Sequence, residues 1–246
     1  MIDNLKISDL EATYGHLHPV EILSSLLRDG RVGRVALVSA FGTESAVLLH
    51  MVARIDQALP VIFINTGRLF GETLRYRDQL VDHLGLTNVS TIGPRKEDVR
   101  RVDGDGMLFS SEPDVCCELR KVFPLELALE GFDAWISGRK RMQGGERESL
   151  NVFEADGGRI KVNPLAHLSK PQLKSWMVDH DLPSHPLEKD GYLSIGCMPC
   201  TDRVAPGQSI RSGRWQGSAK TECGIHQLKR PNKKYEGTQN EQSGRP

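Results

Sequence analysis

The chain has 246 residues, and its 32 Lys plus Arg match its 32 Asp plus Glu, leaving no formal net charge at pH 7. That balance excludes a globally cationic nucleic-acid binder but leaves room for a local basic site. No apolar run approaches the ~18–20 residues of a membrane span, and the opening MIDNLKISDLEATYG is too rich in acids for a secretory leader. A cytoplasmic protein of one or two domains is expected, with no membrane and no nucleic acid among its partners.

Pro19–Arg28 carries apolar residues at helical spacing and is followed by Gly30 as a stop. Arg34–Ser39 is a short β-branched run, read as a buried strand. The turn Ala40–Thr43 leads into a helix over Glu44–Arg54. Pro60–Asn65 is a second buried strand, Leu69–Leu84 a helix, and Val89–Ile92 a third strand. Val115–Leu129 reads as a helix despite Pro124, Ala134–Ser137 as a fourth strand, and Asn151–Asn163 as a hairpin turning at Asp156-Gly157-Gly158. Ser169 caps a helix running to His180, with Pro171 in its first turn.

Short apolar strands alternating with helices predict an α/β fold: an open, mostly parallel sheet with helices on both faces. After Pro183 the periodicity fades. From Arg203 to Lys234 there are eight Lys or Arg against one acid, Glu222, and the final GTQNEQSGRP is polar. The expected organisation is an α/β domain over residues 1–202 and a flexible basic segment over 203–246, disordered from about 236.

Five cysteines without an export signal point to reduced thiols with metal or catalytic roles, not to disulfides. Cys197 and Cys200 form a CxxC in a Gly/Pro-rich loop; Cys116 and Cys117 are adjacent. Four thiolates suffice for tetrahedral zinc or an iron–sulfur cluster. Neighbouring side chains on a helix diverge by about 100°, which suits the separate iron atoms of a cluster better than one small ion. Zinc and unliganded thiols remain the alternatives. Cys223 stands apart in KTECGIH, an exposed stretch where Lys220, His226, Arg211 and Arg214 would favour its thiolate; the bland reading is an inconsequential surface thiol.

Ser39–Ser45 joins a strand to a helix, where backbone N–H groups and the helix dipole favour phosphate, although no GxxxxGK[ST] is present. Asn65-Thr66-Gly67 and Ser137–Gln143, followed by Arg147, end two further strands at the carboxyl edge where open α/β sheets bind ligands. Together they suit a nucleotide with several negative charges. The remaining histidines show no ligand spacing, and Trp135, Trp176 and Trp215 read as packing residues.

From about Leu37 to His226 the chain resembles the assimilatory adenylyl-sulfate (APS) reductases, within the wider APS/PAPS reductase family. The carriers are SAFGTESAVLLH, VIFINTGRLFGET, Cys116-Cys117 with Lys121, WISGRKRMQ, LPSHPLEKDGYLSIGCMPCT, RSGRW and KTECGIH, in this order. The resemblance implies an adenine nucleotide alpha hydrolase-like fold. It implies a 4Fe–4S cluster on Cys116, Cys117, Cys197 and Cys200, and Cys223 as nucleophile. It also implies Lys121, Arg211 and Arg214 near the phosphosulfate, Ser39 and Gly42 at the phosphate, and Thr66, Gly67 and Leu69 along the nucleoside, with Arg147 and His226 as further substrate contacts. Asn65 stands where many members have Asp, and Met142 where an acid is expected.

The implied reaction takes adenosine 5'-phosphosulfate to sulfite and AMP through an S-sulfocysteine on Cys223, with thioredoxin or glutaredoxin as thiol donor, in sulfate assimilation and cysteine biosynthesis. A homo-oligomer is expected. Rival readings are the same reaction on 3'-phosphoadenosine 5'-phosphosulfate, an ATP-using sulfurylase or thiolation enzyme, and a non-enzymatic zinc or redox module. Against the ATP reading, the loop lacks an SGGxDS form and KTECGIH would have no role.

Overall fold

The computed structural model describes residues 4–217 and 220–226; the tail expected to be disordered from about 236 lies outside them. In chain order the helices and strands are α1 (Asn4–Tyr14), α2 (Pro19–Asp29), β1 (Val35–Ser39), α3 (Ser45–Ala53), β2 (Val61–Ile64), α4 (Gly71–Leu84), β3 (Val89–Ile92), α5 (Lys96–Val102), α6 (Leu108–Ser111), α7 (Pro113–Cys117), α8 (Phe123–Ala128), β4 (Ala134–Ile136), β5 (Phe153–Asp156), β6 (Arg159–Val162) and α9 (Lys170–Asp179). A π-helical segment, Glu118–Val122, joins α7 to α8.

Local chemistry sets the boundaries. His18 and Glu21 form a reciprocal capping box at the start of α2, and Gly30 ends it at φ 62°. The Ser169–Gln172 pair does the same for α9, with Pro171 in the first turn. The helix expected over Val115–Leu129 starts earlier, at Pro113, and is not uniformly α. Pro124 has no N–H to give the ladder, and just before it the chain widens so that the Phe123 N–H reaches the Glu118 carbonyl. Such widened turns recur at functional sites; this one carries Arg120 and Lys121.

The six strands lie in the order β3-β2-β1-β4-β6-β5. All neighbours are parallel except β5 and β6, the hairpin at one edge. Alternation along β1 separates two cores. Val35 and Leu37 face the larger one, with Ile22 and Leu26 of α2, Val47 and Leu49 of α3, and Tyr76 and Leu80 of α4. Ala36 and Val38 face the other, with Trp135 of β4, Leu125 of α8 and Leu129. Each fully buried Leu contributes about 1.5–3 kcal/mol, so both faces are strongly covered and the sheet is a rigid platform. Among the described residues, no helix is long and apolar enough to cross a membrane.

Candidate active site

From β1 the chain runs outward through β2 and β3, then returns to the other side of β1 as β4. The loops after β1 and β4 therefore part at the carboxyl edge, and a crevice opens there, the position at which open α/β sheets take ligands. Ser39, Gly42, Thr66, Leu69, Lys121, Arg147, Arg211, Arg214, Cys223 and His226 all line this one cleft. Gly67 does not; it faces an adjoining hollow with Asn65, Ile92 and Arg120.

The β1–α3 loop is tied by its own groups. The Ser39 hydroxyl accepts from the Phe41 N–H at 3.2 Å, and the Thr43 hydroxyl donates to the Leu193 carbonyl at 3.2 Å. A Cβ on Gly42 would come no closer than 3.7 Å to the Ile195 carbonyl. Nothing in the protein itself demands glycine there, and the open side leaves room for a ligand to approach the backbone. After β2, the Asn65 side-chain carbonyl accepts from the Gly67 N–H at 3.0 Å, a turn that a carboxylate at this position would make equally well. Met142 packs against the larger core.

A second, enclosed hollow is walled by Cys116, Cys117, Cys197 and Cys200, with Arg68, Arg120 and Lys121 around them. Three separate stretches meet to form it. The π turn aims Arg120 and Lys121 inward, and Leu69 pairs as an isolated bridge with Cys197. The Met198 N–H donates to the Arg68 carbonyl at 2.8 Å, and the Thr66 hydroxyl lies 3.2 Å from Cys197 Sγ. Arg120 is locked by Asp103 (Nε to carboxylate 3.1 Å) and by the Thr66 carbonyl at 2.9 Å. Burial opposes ionisation of Asp103, but the Leu108 N–H and Arg120 outweigh it and hold its pKa below the usual range. Burial raises the thiols of Cys116 and Cys200. All five cysteines are free. Among the described residues, no three His, Cys, Asp or Glu converge as donors for a single metal ion.

Cys223 joins the two spaces. It is half-buried, not exposed as its basic surroundings suggested, because residues 220–226 fold down onto the cleft. Its Sγ is 3.8 Å from Lys121 Nζ. A hydrogen bond from the Cys117 thiol pulls its pKa well down; burial works against this, and Lys121, the Ile225 N–H and Arg214 add to the lowering. The same bond pushes the Cys117 thiol up. Burial opposes the Lys121 charge, yet the surrounding cysteine sulfurs, Cys223 first, raise its pKa. A thiolate with a buried ammonium beside it is a poised nucleophile.

Other groups shape the cation cluster. The ring of Trp215, buried as a packing residue, lies under Arg214 at 4.4 Å and Arg211 at 5.4 Å from its centroid. Gly196 leaves the space that the Arg214 guanidinium occupies; a Cβ there would collide with it. Lys140 pairs with Glu44 at 2.8 Å beside the β1–α3 loop. Glu222 is buried between Arg147 and Arg211. Its sequence signal was available: it is the lone acid in a run of cations, and a lone acid that stays ionised in such company is paired. Lys140 was legible as one cation of the Ser137–Gln143 loop, although not its pairing with Glu44 far along the chain; Gly196 gave no such signal.

Residues 34–203 match the family model for the phosphoadenosine phosphosulfate reductase domain. An adenosine 5'-phosphosulfate reductase of Mesorhizobium japonicum is 52% identical over 90% of this chain and 87% of its own length. A phosphoadenosine 5'-phosphosulfate reductase of Gloeobacter violaceus is 38% identical over 92% and 95%. The crystal structure of the phosphoadenylyl-sulfate reductase from Candida auris, a phosphate complex, superposes with a TM-score of 0.67 at 26% identity, covering 83% of this chain and 98% of that one. With this cleft and these matches, the chain belongs to the phosphoadenosine phosphosulfate reductase domain family, which includes the APS reductases.

Proposed function

We propose that this protein reduces adenosine 5'-phosphosulfate to sulfite and AMP in sulfate assimilation. The observation that carries the reading is the position of Cys223: a thiolate 3.8 Å from the Lys121 ammonium, in the same cleft as the β1–α3 phosphate loop. The 52% identical Mesorhizobium relative, named for this activity, supports APS as the substrate. Cys223 Sγ attacks the sulfur of the phosphosulfate and the S–O bond to the phosphate breaks, giving S-sulfocysteine and AMP. Lys121, Arg211 and Arg214 offset the repulsion of anion by anion and stabilise charge on the departing phosphate. A dithiol protein of the thioredoxin class then attacks Cys223 Sγ and releases sulfite. Its second thiol resolves the mixed disulfide, so sulfur gains two electrons and the donor ends as a disulfide.

The four cysteines around the enclosed hollow fit a 4Fe–4S cluster: the donor set is all thiolate, as such clusters require, and Arg68, Arg120 and Lys121 complement its negative charge. Cys116, Cys117, Cys197 and Cys200 would hold it as thiolates; Cys117 would then no longer donate to Cys223, leaving Lys121, the Ile225 N–H and Arg214 to favour the Cys223 thiolate. When bound it would supply a fixed charge that tunes the field at Lys121, since the thiols already provide both electrons. Five free cysteines suit a reducing compartment such as the cytoplasm.

Purified anaerobically, the protein should carry about four iron and four acid-labile sulfide per chain and release sulfite from APS when given thioredoxin. Parallel kinetics with the 3'-phosphorylated nucleotide test the substrate. A preference for that nucleotide would overturn the APS assignment, and pyrophosphate release from ATP would overturn the reductase reading itself.

A further inference from the structure

Among the segments packed on the cleft, residues 220–226 stand out because they carry the nucleophile yet contain no long helix or strand to hold it. Ile225 packs against the smaller core and the His226 ring stacks on Trp135, with centroids 6.2 Å apart, while Lys220, Thr221 and Glu222 make the polar ties. Lys220 pairs with Asp114, whose carboxylate is 86% exposed. The Thr221 hydroxyl donates to Glu146 at 2.8 Å on the exposed surface. The Lys220 side chain is itself 7% exposed, but a contact whose other partner stands in water contributes little. Glu222 differs: its side chain is 4% exposed, and it is clamped by Arg147 through two bonds, Nε to Oε2 at 2.5 Å and Nη2 to Oε1 at 2.7 Å. Arg211 adds a third contact at 3.2 Å, and the Cys223 N–H donates to the same carboxylate at 2.7 Å. A bidentate, charge-assisted fork fixes direction as well as distance.

We infer that Glu222 is the positioning residue for the nucleophile: its carboxylate, gripped by Arg147 and Arg211, caps the Cys223 amide and so fixes the backbone that presents Sγ to Lys121. The two arginines that resemblance gives to the substrate are thus held first by the chain's own carboxylate. Arg147 in turn is anchored through Gln143, which also accepts from the Lys140 N–H at 3.2 Å. The polar grip on Cys223 is therefore mounted on the loop after β4. This deepens the reading of Cys223 as sulfur acceptor and rests on it only for the rate measurement below.

The test uses the full-length protein and Glu222→Gln, which keeps size and removes charge, with Glu222→Asp as the milder change should the first fold poorly. Three quantities are read: amide exchange of the peptide spanning 221–226, the single-turnover rate of sulfonate transfer from APS to Cys223, and the dissociation constant of AMP. Loss of a charged hydrogen-bond partner predicts exchange faster by at least about tenfold and transfer slower by about 10- to 100-fold. AMP affinity should stay within about twofold, and Asp should fall between Gln and the native residue. Unchanged exchange would overturn the proposal. Faster exchange with an unaltered transfer rate would also overturn it, since the contact would then be structural only. So would a loss of AMP affinity in proportion to rate, which would make the Arg–Glu cluster a substrate-binding element. If the native protein transfers no sulfonate at all, the functional reading fails, while the exchange measurement still decides whether Glu222 holds the segment.

Discussion

At the end of the cleft proposed for the nucleotide, the facing groups come from within a few residues of a strand end: Ser39 ends β1, Gly42 follows it and Thr66 follows β2. At the thiol end, Lys121, Arg214 and Cys223 come from stretches about a hundred residues apart and meet only through long-range packing. The nucleotide end is built on rigid sheet geometry and its own backbone; the thiol end is built from charges that are stable only because each has a partner. Changes at the first should alter binding and spare the fold, whereas changes at the second should alter reactivity steeply.

The largest expected effect comes from the atom itself. Cys223→Ser should reduce sulfite formation by at least about 10³-fold, with AMP binding retained, as measured by sulfite release and by calorimetry. Lys121→Ala removes the ammonium beside the half-buried Cys223 thiolate and should lower the transfer rate by about 10²–10³-fold, in rapid-quench single turnovers. Cys117→Ser should empty the protein of iron, measured as iron per chain; full activity without iron would remove the cluster from the account.

Smaller effects probe the nucleotide end and the supports. Gly42→Ala meets no clash in the free protein, so its melting temperature should match the native one while APS binds about tenfold more weakly. Unchanged binding would mean that phosphate does not approach this loop. Gly196→Ala should push Arg214 aside and slow transfer by about tenfold, linking a residue outside the cation cluster to the chemistry. His185 is buried behind α4, bonded to the Thr73 hydroxyl at 3.1 Å. Burial lowers its pKa to about 4. The unfolded chain therefore takes up a proton that the native state refuses, and this contribution, complete above about pH 6.5, is lost as pH falls toward 4. By pH 5 the loss is about 2 kcal/mol, and His185→Gln should make the fall in denaturant midpoint between pH 7 and 5 shallower.

What could be read from the sequence follows the same divide. β1, β2 and β4 were legible because strands buried on both faces are short β-branched runs, and the turn after each is local chemistry. Helix α1 was not read: it buries Leu10 and Tyr14 but presents no broad apolar stripe, and Glu11 earns its place by accepting the Phe153 N–H at 2.8 Å, far along the chain. The five cysteines were legible as residue types and spacing, and the structure gathers four around one hollow. The exposure expected for Cys223 failed because composition describes the segment's charge and not the buried Glu222–Arg147 clamp that draws it inward. Gly67, which the resemblance places along the nucleoside, lies in the adjoining hollow, where the turn after Asn65 carries it.

The most direct test is a single turnover without any thiol donor. The protein, with all five cysteines intact, is mixed with one equivalent of APS, AMP release is measured, and the peptides are mapped by mass spectrometry. The account predicts one AMP per chain and a sulfonate on Cys223 alone. A sulfonate on any of Cys116, Cys117, Cys197 or Cys200, or no AMP until a dithiol is added, would contradict it.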